Sequence, residues 1–303
     1  MADKKEPNRV HSGMGDAESH PARNLSDWSS DGERVLFGSD NLTVENCRFE
    51  GPGDGEYPLQ ECRNCTVKAS YFALRYPFWQ NEDLTVLHTR LAAACRSPFW
   101  YGRNIRVGKS VLNGKQAFRE CEDLVLSNCD LRSADAGWNC RNVTIGGNSR
   151  IESDRFLLRA ETVHMRDTTL TGEEAFHYVR GGEIRDCVLN ADNAFWHAED
   201  LLVTDCVING NRLGWFAKNL RFVRCRIAGR QPLCYCENLV LEDCSMDGCD
   251  LAFEYSDVRA MLKGNLESVR NPAHGSISAD AIGEIILDER RRPESDCVIR
   301  TKT

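Results

Sequence analysis

A ten-residue pattern of apolar and polar positions recurs along most of the chain. "EDLLVTDCVI" at residues 199–208, "KNLRFVRCRI" at 218–227 and "ENLVLEDCSM" at 237–246 share it: a charged residue, Asn or Asp, Leu, and then apolar residues at alternate positions. Apolar residues at every second position are typical of β-strands, whereas a helix spaces them by three or four. A strand pattern that returns every nineteen residues predicts a solenoid.

The second residue of the pattern, which we call the corner, can be followed through twelve copies. Eight of the eleven intervals between corners are nineteen residues, and the others are 23, 21 and 20. Neither leucine-rich spacing nor the six-residue sub-period of a left-handed β-helix is visible. We therefore predict an all-β fold, a right-handed parallel β-helix of about twelve rungs. The corners are Asn41, Asn64, Asp83, Asn104, Asp123, Asn142, Thr162, Gly181, Asp200, Asn219, Asn238 and Asp257.

Stacked rungs place equivalent positions in columns, and most columns have a consistent character. The columns one, three and eight residues after the corner are apolar and predict one continuous core. The column six residues after the corner holds Cys, Ser and Thr, so its thiols are interpreted as small packing residues. Asn and Asp at the corners tolerate left-handed backbone.

Cys62 and Cys65 form the one CxxC pair, with no second pair behind it, so we do not expect zinc.

The residue just before the corner changes sign at every rung. Opposite charges on neighbouring rungs predict an ion-pair ladder on an exposed face, worth about 0.5 kcal/mol per pair. The column reads Arg63, Glu82, Arg103, Glu122, Arg141, Glu161, Arg180, Glu199, Lys218 and Glu237.

Composition narrows the range of functions. The net charge of −8 disfavours a nucleic-acid partner, because phosphates attract a basic face. A membrane-spanning helix needs about eighteen consecutive apolar residues, and the sequence contains no such run. The first twenty residues lack the apolar segment of a secretion signal, so we expect the fifteen cysteines to be free thiols in the cytoplasm. By the same patterns we expect a polar N-terminal tail or cap at 1–30, a β-helix with C-terminal capping strands at 31–290, and a mobile tail at 291–303.

Several segments resemble a known bacterial family. They are "GERVLFG" at 32–38, "ALRYPFW" at 73–79, "AFWHA" at 194–198, "QPLCYC" at 231–236, "LAFEYS" at 251–256 and "SVRNPAHGSI" at 268–277. Together they span about 31–290 and resemble the uncharacterised domain of unknown function 3737 family. The resemblance implies a single-domain right-handed β-helix of the pectin-lyase-like type. It implies no activity and no catalytic residues.

Two columns are not consistently apolar, because both contain charged residues. The column four residues before the corner is called the Trp column, and the column three residues before it is called the polar column. Because the column preceding them is the better core candidate, we predict that both face outward along one side, called the aromatic side below. Sugar rings could stack there between polar groups; the alternatives are packing under a neighbouring turn and contact with a second subunit. The predicted ligand-binding residues are Trp79, Trp100, Tyr101, Trp138, Tyr178, Trp196 and Trp215.

Candidate catalytic residues lie in the middle of the aromatic side. They are Glu120, Arg159, His177 and His197. The two histidines fall on adjacent rungs, where they could share a proton or a ligand. A glycosidase needs two carboxylates ~5–9.5 Å apart, but the acids of the polar column are several rungs apart, which weighs against a hydrolase.

A second candidate site is a stack of three acids on successive rungs. Asp167, Asp186 and Asp205 each lie five residues past a corner, with Arg166 and Arg185 beside the first two. Carboxylates ~5 Å apart suit Ca²⁺, whereas Asn and Asp elsewhere in this column suit turn capping. We favour turn capping, and therefore expect no metal or cofactor, with Ca²⁺ as the one candidate.

These observations give three hypotheses of function. The first is a carbohydrate-binding or carbohydrate-modifying β-helix whose oligosaccharide lies along the aromatic side. The second is a non-enzymatic scaffold that self-associates into a homo-oligomer through the same side. The third is a calcium-dependent polysaccharide lyase centred on the Asp stack. Under the first, His197→Ala should weaken binding by ~1–2 kcal/mol and leave the fold intact.

Overall fold

The computed structural model describes residues 23–53 and 55–301, and all regular structure there is β. The thirty strands are β1 (Arg23–Ser26), β2 (Ser29–Ser30), β3 (Leu42–Glu45), β4 (Arg48–Phe49), β5 (Arg63–Lys68), β6 (Tyr71–Phe72), β7 (Glu82–Leu87), β8 (Arg90–Leu91), β9 (Phe99–Trp100), β10 (Arg103–Gly108), β11 (Val111–Asn113), β12 (Phe118–Arg119), β13 (Glu122–Ser127), β14 (Asp130–Arg132), β15 (Arg141–Gly146), β16 (Arg150–Glu152), β17 (Glu161–Arg166), β18 (Thr169–Glu173), β19 (Arg180–Arg185), β20 (Val188–Asp192), β21 (Glu199–Thr204), β22 (Val207–Asn209), β23 (Arg221–Val223), β24 (Arg226–Ala228), β25 (Leu239–Ser245), β26 (Asp257–Lys263), β27 (Asn265–Arg270), β28 (His274–Ala279), β29 (Ala281–Ile286) and β30 (Val298–Thr301).

The strands stack in parallel and form the predicted solenoid. Most of the longer strands make one continuous stack of fifteen rungs, and shorter strands stack beside it. Like residues meet across rungs: Leu84 of β7 lies opposite Ile105 of β10, and Val86 lies opposite Val107. The fifteen are β1, β3, β5, β7, β10, β13, β15, β17, β19, β21, β23, β25, β26, β28 and β30.

Three of the fifteen rungs lie outside the twelve corners. One is β1, so residues 23–30, expected in the N-terminal tail, begin the described solenoid; residues 1–22 lie outside the described range. The other two break the nineteen-residue frame. Asp257 pairs with His274 and Ser276 with Val298, offsets of 17 and 22 residues. Strand β30 therefore places part of the expected C-terminal tail in the sheet.

Each rung bends at residues with left-handed backbone. The corners from Asn41 to Asn238 all have positive φ, and so do the residues at the next bend, such as Asn128 and Asp186. The corner side chains also bond to one another, since Asn142 Nδ2 donates to Asp123 Oδ1 over 3.0 Å. Asn and Asp accept this backbone at low cost and supply the bond, which explains why the corners select them.

The apolar columns together form one hydrophobic core that runs along the solenoid. Phe78, Phe99 and Phe118 stack on successive rungs with ring centroids 5.0 and 4.9 Å apart. Fourteen of the fifteen cysteines are buried and all are free thiols, and the six that belong to the small-residue column pack in the core as predicted. No helix long and apolar enough to cross a membrane occurs in the described residues.

The predicted charge ladder is confirmed in the form of five separate ion pairs, each joining an Arg or Lys to the Glu of the following rung. Five pairs of neighbouring rungs carry ion pairs with N···O distances of 3.0 to 3.6 Å, between side chains that are all at least one-third exposed. Exposed pairs are screened by solvent, so each contributes little stability and mainly favours the native register. The pairs are Arg63–Glu82, Arg103–Glu122, Arg141–Glu161, Arg180–Glu199 and Lys218–Glu237.

Thr162 is the corner at which substitution should stabilise the fold. Its φ of 56° places a β-branched residue in left-handed backbone, where Asn is better tolerated. We expect Thr162→Asn to raise the free energy of unfolding by about 1 kcal/mol. The reverse change at an equivalent corner, Asn142→Thr, should lower it by a similar amount. Denaturant titration of both variants checks this, and equal stability of the two would contradict it.

Gly182 should be intolerant of any side chain. A Cβ there would lie 2.0 Å from the carbonyl oxygen of Val163 on the preceding rung. Gly181 also has positive φ, but a Cβ there meets nothing within 4 Å. We expect Gly182→Ala to cost about 3 kcal/mol or more and Gly181→Ala about 1 kcal/mol. Thermal unfolding compares the two variants, and a Gly181 variant less stable than the Gly182 variant would refute the steric explanation.

Candidate functional site

The aromatic side exists because the polar column lies at a bend. Its ten residues from Glu61 to Tyr235, among them Tyr101, Tyr178 and His197, have φ between 51° and 60°, and only Glu254 before the last corner departs from this. The preceding core residues Phe176 and Phe195 also have positive φ. Left-handed residues break the alternation of an extended strand, so two successive side chains can point to the same side. The Trp column and the polar column therefore line one surface, as predicted.

Burial follows the predicted division between core and surface. The column preceding the Trp column is fully buried, as in Phe99 and Phe195. The tryptophans of the Trp column are half-buried. Tyr101 and Tyr178 of the polar column are each 45% exposed and Phe216 is 39% exposed. The aromatic side is thus partly open to solvent and is not sealed under a neighbouring turn.

The rings of the Trp column stack face to face along the solenoid. Trp79 and Trp100 are 5.3 Å apart with an interplanar angle of 9°. Further along, His177, Trp196 and Trp215 are parallel within 3°, with centroids 5.6 and 5.2 Å apart. These separations are close to the distance between neighbouring strands, so each ring covers the face of the next.

The polar column forms a second stack in its C-terminal half. His197 lies between Tyr178 at 4.7 Å and Phe216 at 5.0 Å. Phe216 continues onto Tyr235 at 4.8 Å. The stack ends at Tyr255, whose hydroxyl donates to the carbonyl of Arg290 over 2.8 Å. The C-terminal segment therefore closes this end of the aromatic side.

This stacking changes what the aromatic side can bind. Sugar rings stack on open aromatic faces, but most of these faces are covered by the next ring. The ring edges and the polar groups are what face the solvent. The expectation that a sugar chain lies on the indole faces is therefore not met by Trp196, which has a ring on both sides.

Three ring nitrogens in the C-terminal half of the Trp column are bonded to the backbone, whereas the buried indole nitrogens of Trp79 and Trp100 have no hydrogen-bond partner in the described part of the chain. The indole N–H groups of Trp196 and Trp215 donate to carbonyls sixteen residues later, over 2.6 and 2.8 Å. His177 uses Nε2 in the same way, toward the Asn193 carbonyl at 2.6 Å. Burial lowers the pKa of His177, although this bond and Glu174 oppose the shift. His177 thus replaces an indole in the column, with Nε2–H as the donor to a backbone carbonyl.

The catalytic candidates are separated by these columns. His177 lies in the Trp column, whereas His197 and Glu120 lie in the polar column. Glu120 accepts from Arg119 Nε at 3.4 Å, and the Arg159 guanidinium lies 5.7 Å from the Tyr178 ring. Each candidate already has a partner in the fold. Their catalytic roles remain predictions.

The stack of rings in the Trp column has a gap around Trp138, because the two neighbouring rungs carry Arg119 and Leu158 at this position. The Arg119 guanidinium covers one side of this indole, 4.1 Å from the ring, and also contacts Trp100 at 4.5 Å. The next rung offers Leu158 instead of a ring. Among the described residues, no aromatic ring stacks on Trp138.

A small cavity opens at this gap, and we call it the Trp138 cavity. Its volume is about 250 Å³ and it is lined by Arg119, Trp138, Leu158, Gln116 and Asp135. The last two were missed by the sequence analysis. Gln116 lies sixteen residues after Trp100, and Asp135 lies sixteen residues after Arg119, both in left-handed bends. This constant spacing is the sequence signal that could have identified them. Asp135 is held by Arg155 Nε at 2.5 Å.

The Asp stack lies at the bend after the long strands. Asp167, Asp186 and Asp205 all have positive φ, as turn capping requires. Asp205 accepts two bonds from Arg224, at 2.7 and 2.6 Å, which lower the pKa of its carboxyl. No group of three or more His, Cys, Asp or Glu side chains positioned to hold a metal is found in the described range.

Structural comparison finds other proteins with related shapes. The A-module of the Azotobacter vinelandii mannuronan C-5 epimerase AlgE4 is 10% identical, with 93% of this chain and 90% of that chain covered and a TM-score of 0.30. PfbA, a surface adhesin of Streptococcus pneumoniae, is 9% identical over 81% and 71%, with a TM-score of 0.32. The catalytic domain of a GH87 α-1,3-glucanase is 9% identical over 93% and 64%, also at 0.32. At such values the likeness says nothing about what this chain binds.

Sequence comparison identifies the family. No curated protein matches the chain. The family model described as "Protein of unknown function (DUF3737)" matches residues 23–300, which is nearly the whole described range. This match agrees with the resemblance found in the segments from 32–38 to 268–277. The chain belongs to the DUF3737 family.

Proposed function

We propose that the protein binds an oligosaccharide along the aromatic side, with one sugar unit in the Trp138 cavity. The observation that carries the proposal is the gap in the Trp column. At this point an indole lacks a stacked ring and borders a cavity of about 250 Å³. An indole with no ring stacked on it, beside an opening, offers part of its surface to a sugar ring for stacking.

The polar groups around the cavity suit sugar hydroxyls. Asp135 offers carboxylate oxygens, Arg119 offers guanidinium N–H groups and Gln116 offers an amide. A sugar hydroxyl both donates and accepts hydrogen bonds, so a lining that combines donors and acceptors can satisfy it. Small binding sites in proteins commonly join an apolar wall to a few such polar groups.

The polar column extends the surface beyond the cavity. Asn139, Arg159, Tyr178 and His197 lie on successive rungs next to the Trp column. Successive rungs are ~4.8 Å apart, so an extended sugar chain along the solenoid would meet one polar side chain per rung. We propose binding without catalysis, because Asp135 and Glu120 are each already paired with an arginine.

Trp138→Ala should weaken oligosaccharide binding. Losing a stacking surface in a sugar site removes about 1–3 kcal/mol, which is roughly tenfold to a hundredfold in affinity. A glycan array screened with the wild-type protein selects the ligand, and calorimetry with that ligand compares the variants. The matched control is Trp28→Ala, because Trp28 contacts Phe49 near the N-terminal end and lies off the aromatic side.

His197→Ala tests whether the site extends along the polar column. We expect a smaller loss, ~1–2 kcal/mol, because this ring presents only an edge with hydrogen-bonding nitrogens. A lower melting temperature with unchanged binding would instead make His197 a structural member of its stack. If the wild type binds no glycan, or Trp138→Ala binds as well as the wild type, the proposed function is wrong.

Self-association is the second candidate function. The observation that favours it is the exposure of Tyr101, Tyr178 and Phe216 along one side. Exposed apolar surface of this kind can also pack against a second subunit. If this function is correct, light scattering will give a mass that rises with concentration. The double variant Tyr178→Ser, Phe216→Ser should then remain monomeric, and a wild type that is monomeric at high concentration excludes this candidate.

A further inference from the structure

The outer face of the long-strand stack carries a second cavity, which we call the sheet cavity. It has a volume of about 420 Å³ and lies over β13, β15, β17 and β19. It belongs to a different face from the aromatic side, so a ligand bound there is independent of the proposed function. Its polar lining includes Ser127, Thr144, His164, Arg166, Glu183 and Arg185.

Two glycines form the floor of the sheet cavity. Gly146 ends β15 and pairs with Ser127 of β13. Gly147 follows with a φ of 68°, and a Cβ there would lie 2.6 Å from Ser127 Oγ. These two residues leave one rung without side chains at a position where the neighbouring rungs have Ser127 and Arg166. The depression thus results from the missing side chains of these two glycines, and the Arg166 side chain borders it, with Cγ 3.5 Å from the position of a Gly146 Cβ.

Two arginines stand side by side at the edge of the cavity. Strands β17 and β19 begin with the opposite charges of Glu161 and Arg180, but they end with Arg166 directly opposite Arg185. Like charges facing each other across strands are destabilising. The charges of β17 and β19 are therefore opposite at the start of the two strands and alike at their ends.

The local acids neutralise these arginines only in part. Arg166 Nε lies 3.8 Å from Asp167 Oδ2, and Arg185 Nε lies 3.2 Å from Asp186 Oδ2. All four side chains are about half exposed or more, so these pairs are weak. Both closest contacts use Nε. The planar guanidinium group can bind a phosphate or carboxylate through two N–H groups at once. Neither of these closest contacts uses the terminal guanidinium nitrogens.

We propose that the sheet cavity binds the oxyanion group, phosphate or carboxylate, of a small hydroxylated molecule. Arg166 and Arg185 hold the oxyanion by charge-assisted hydrogen bonds. Thr144 and His164 supply a hydroxyl and a ring N–H, and the Glu183 carboxylate, opposite His164 in register, accepts from a ligand hydroxyl. The glycine floor admits the body of the molecule, which a cavity of this volume can hold.

The test is calorimetry with four probes on the full chain: glucose 6-phosphate, gluconate, inorganic phosphate and glucose. We expect glucose 6-phosphate or gluconate to bind more tightly than phosphate, and glucose not to bind. Binding by only one of the first two identifies which oxyanion the site takes. The affinity should fall as salt is raised, because the pairing is electrostatic and exposed.

Two variants test the assignment of residues. Arg166→Gln with Arg185→Gln should weaken binding at least about tenfold, the scale of lost charged hydrogen bonds. Gly146→Val fills the floor while keeping both arginines, and its Cβ would make only an ordinary 3.5 Å contact with Arg166 Cγ. It should weaken binding to a similar extent.

The control is Arg103→Gln with Arg141→Gln, which removes two arginines of the charge ladder and should leave the affinity unchanged. Circular dichroism confirms that each variant is folded. If neither glucose 6-phosphate nor gluconate binds, if glucose binds equally well, or if the Arg166, Arg185 double variant keeps its affinity, the proposal is overturned.

Discussion

Left-handed backbone at fixed positions is the constraint on which the rest of the structure depends. A parallel solenoid can stack only if every rung bends at the same places, and here residues with positive φ repeat at each bend. Left-handed backbone costs an ordinary residue about 1–2 kcal/mol. Asn and Asp lower that cost, and their side chains add bonds between rungs, such as Asn219 to Asp200 at 2.7 Å. The same bends bring the Trp column and the polar column to one surface.

The sequence was sufficient to predict the fold because stacking makes the pattern redundant. Each rung repeats the same selection for apolar, small and turn residues, so twelve corners could be aligned without a structure. The rungs formed by β28 and β30 have offsets of 17 and 22 residues that leave the frame, so β28 could be expected only as a capping strand and β30 was not predicted. Their strands are held by hydrogen bonds to the stack, which do not require the periodic sequence.

The candidate site was predicted less completely, and the reason is geometric. Periodicity shows which side of the solenoid a residue faces, but it does not show how a ring is turned about its own bonds. The sequence thus placed Trp196 and His197 on the correct side, whereas the stacking that covers their faces became visible only in the structure. Gln116 and Asp135 approach Trp138 from the neighbouring loop, so the column alignment did not bring them together.

The tryptophans of the aromatic side differ in a way that NMR can resolve directly. Trp196 and Trp215 have indole N–H groups bonded to backbone carbonyls and rings stacked on neighbours, whereas Trp138 borders an open cavity. The measurement is an ¹H–¹⁵N spectrum of the six indole N–H groups during titration with the best ligand from a glycan array, with Trp138 assigned by Trp138→Phe. We predict that the Trp138 signal moves most and that the signals of Trp196 and Trp215 stay in place. Movement of Trp196 and Trp215 with no change at Trp138 would contradict binding at the Trp138 cavity.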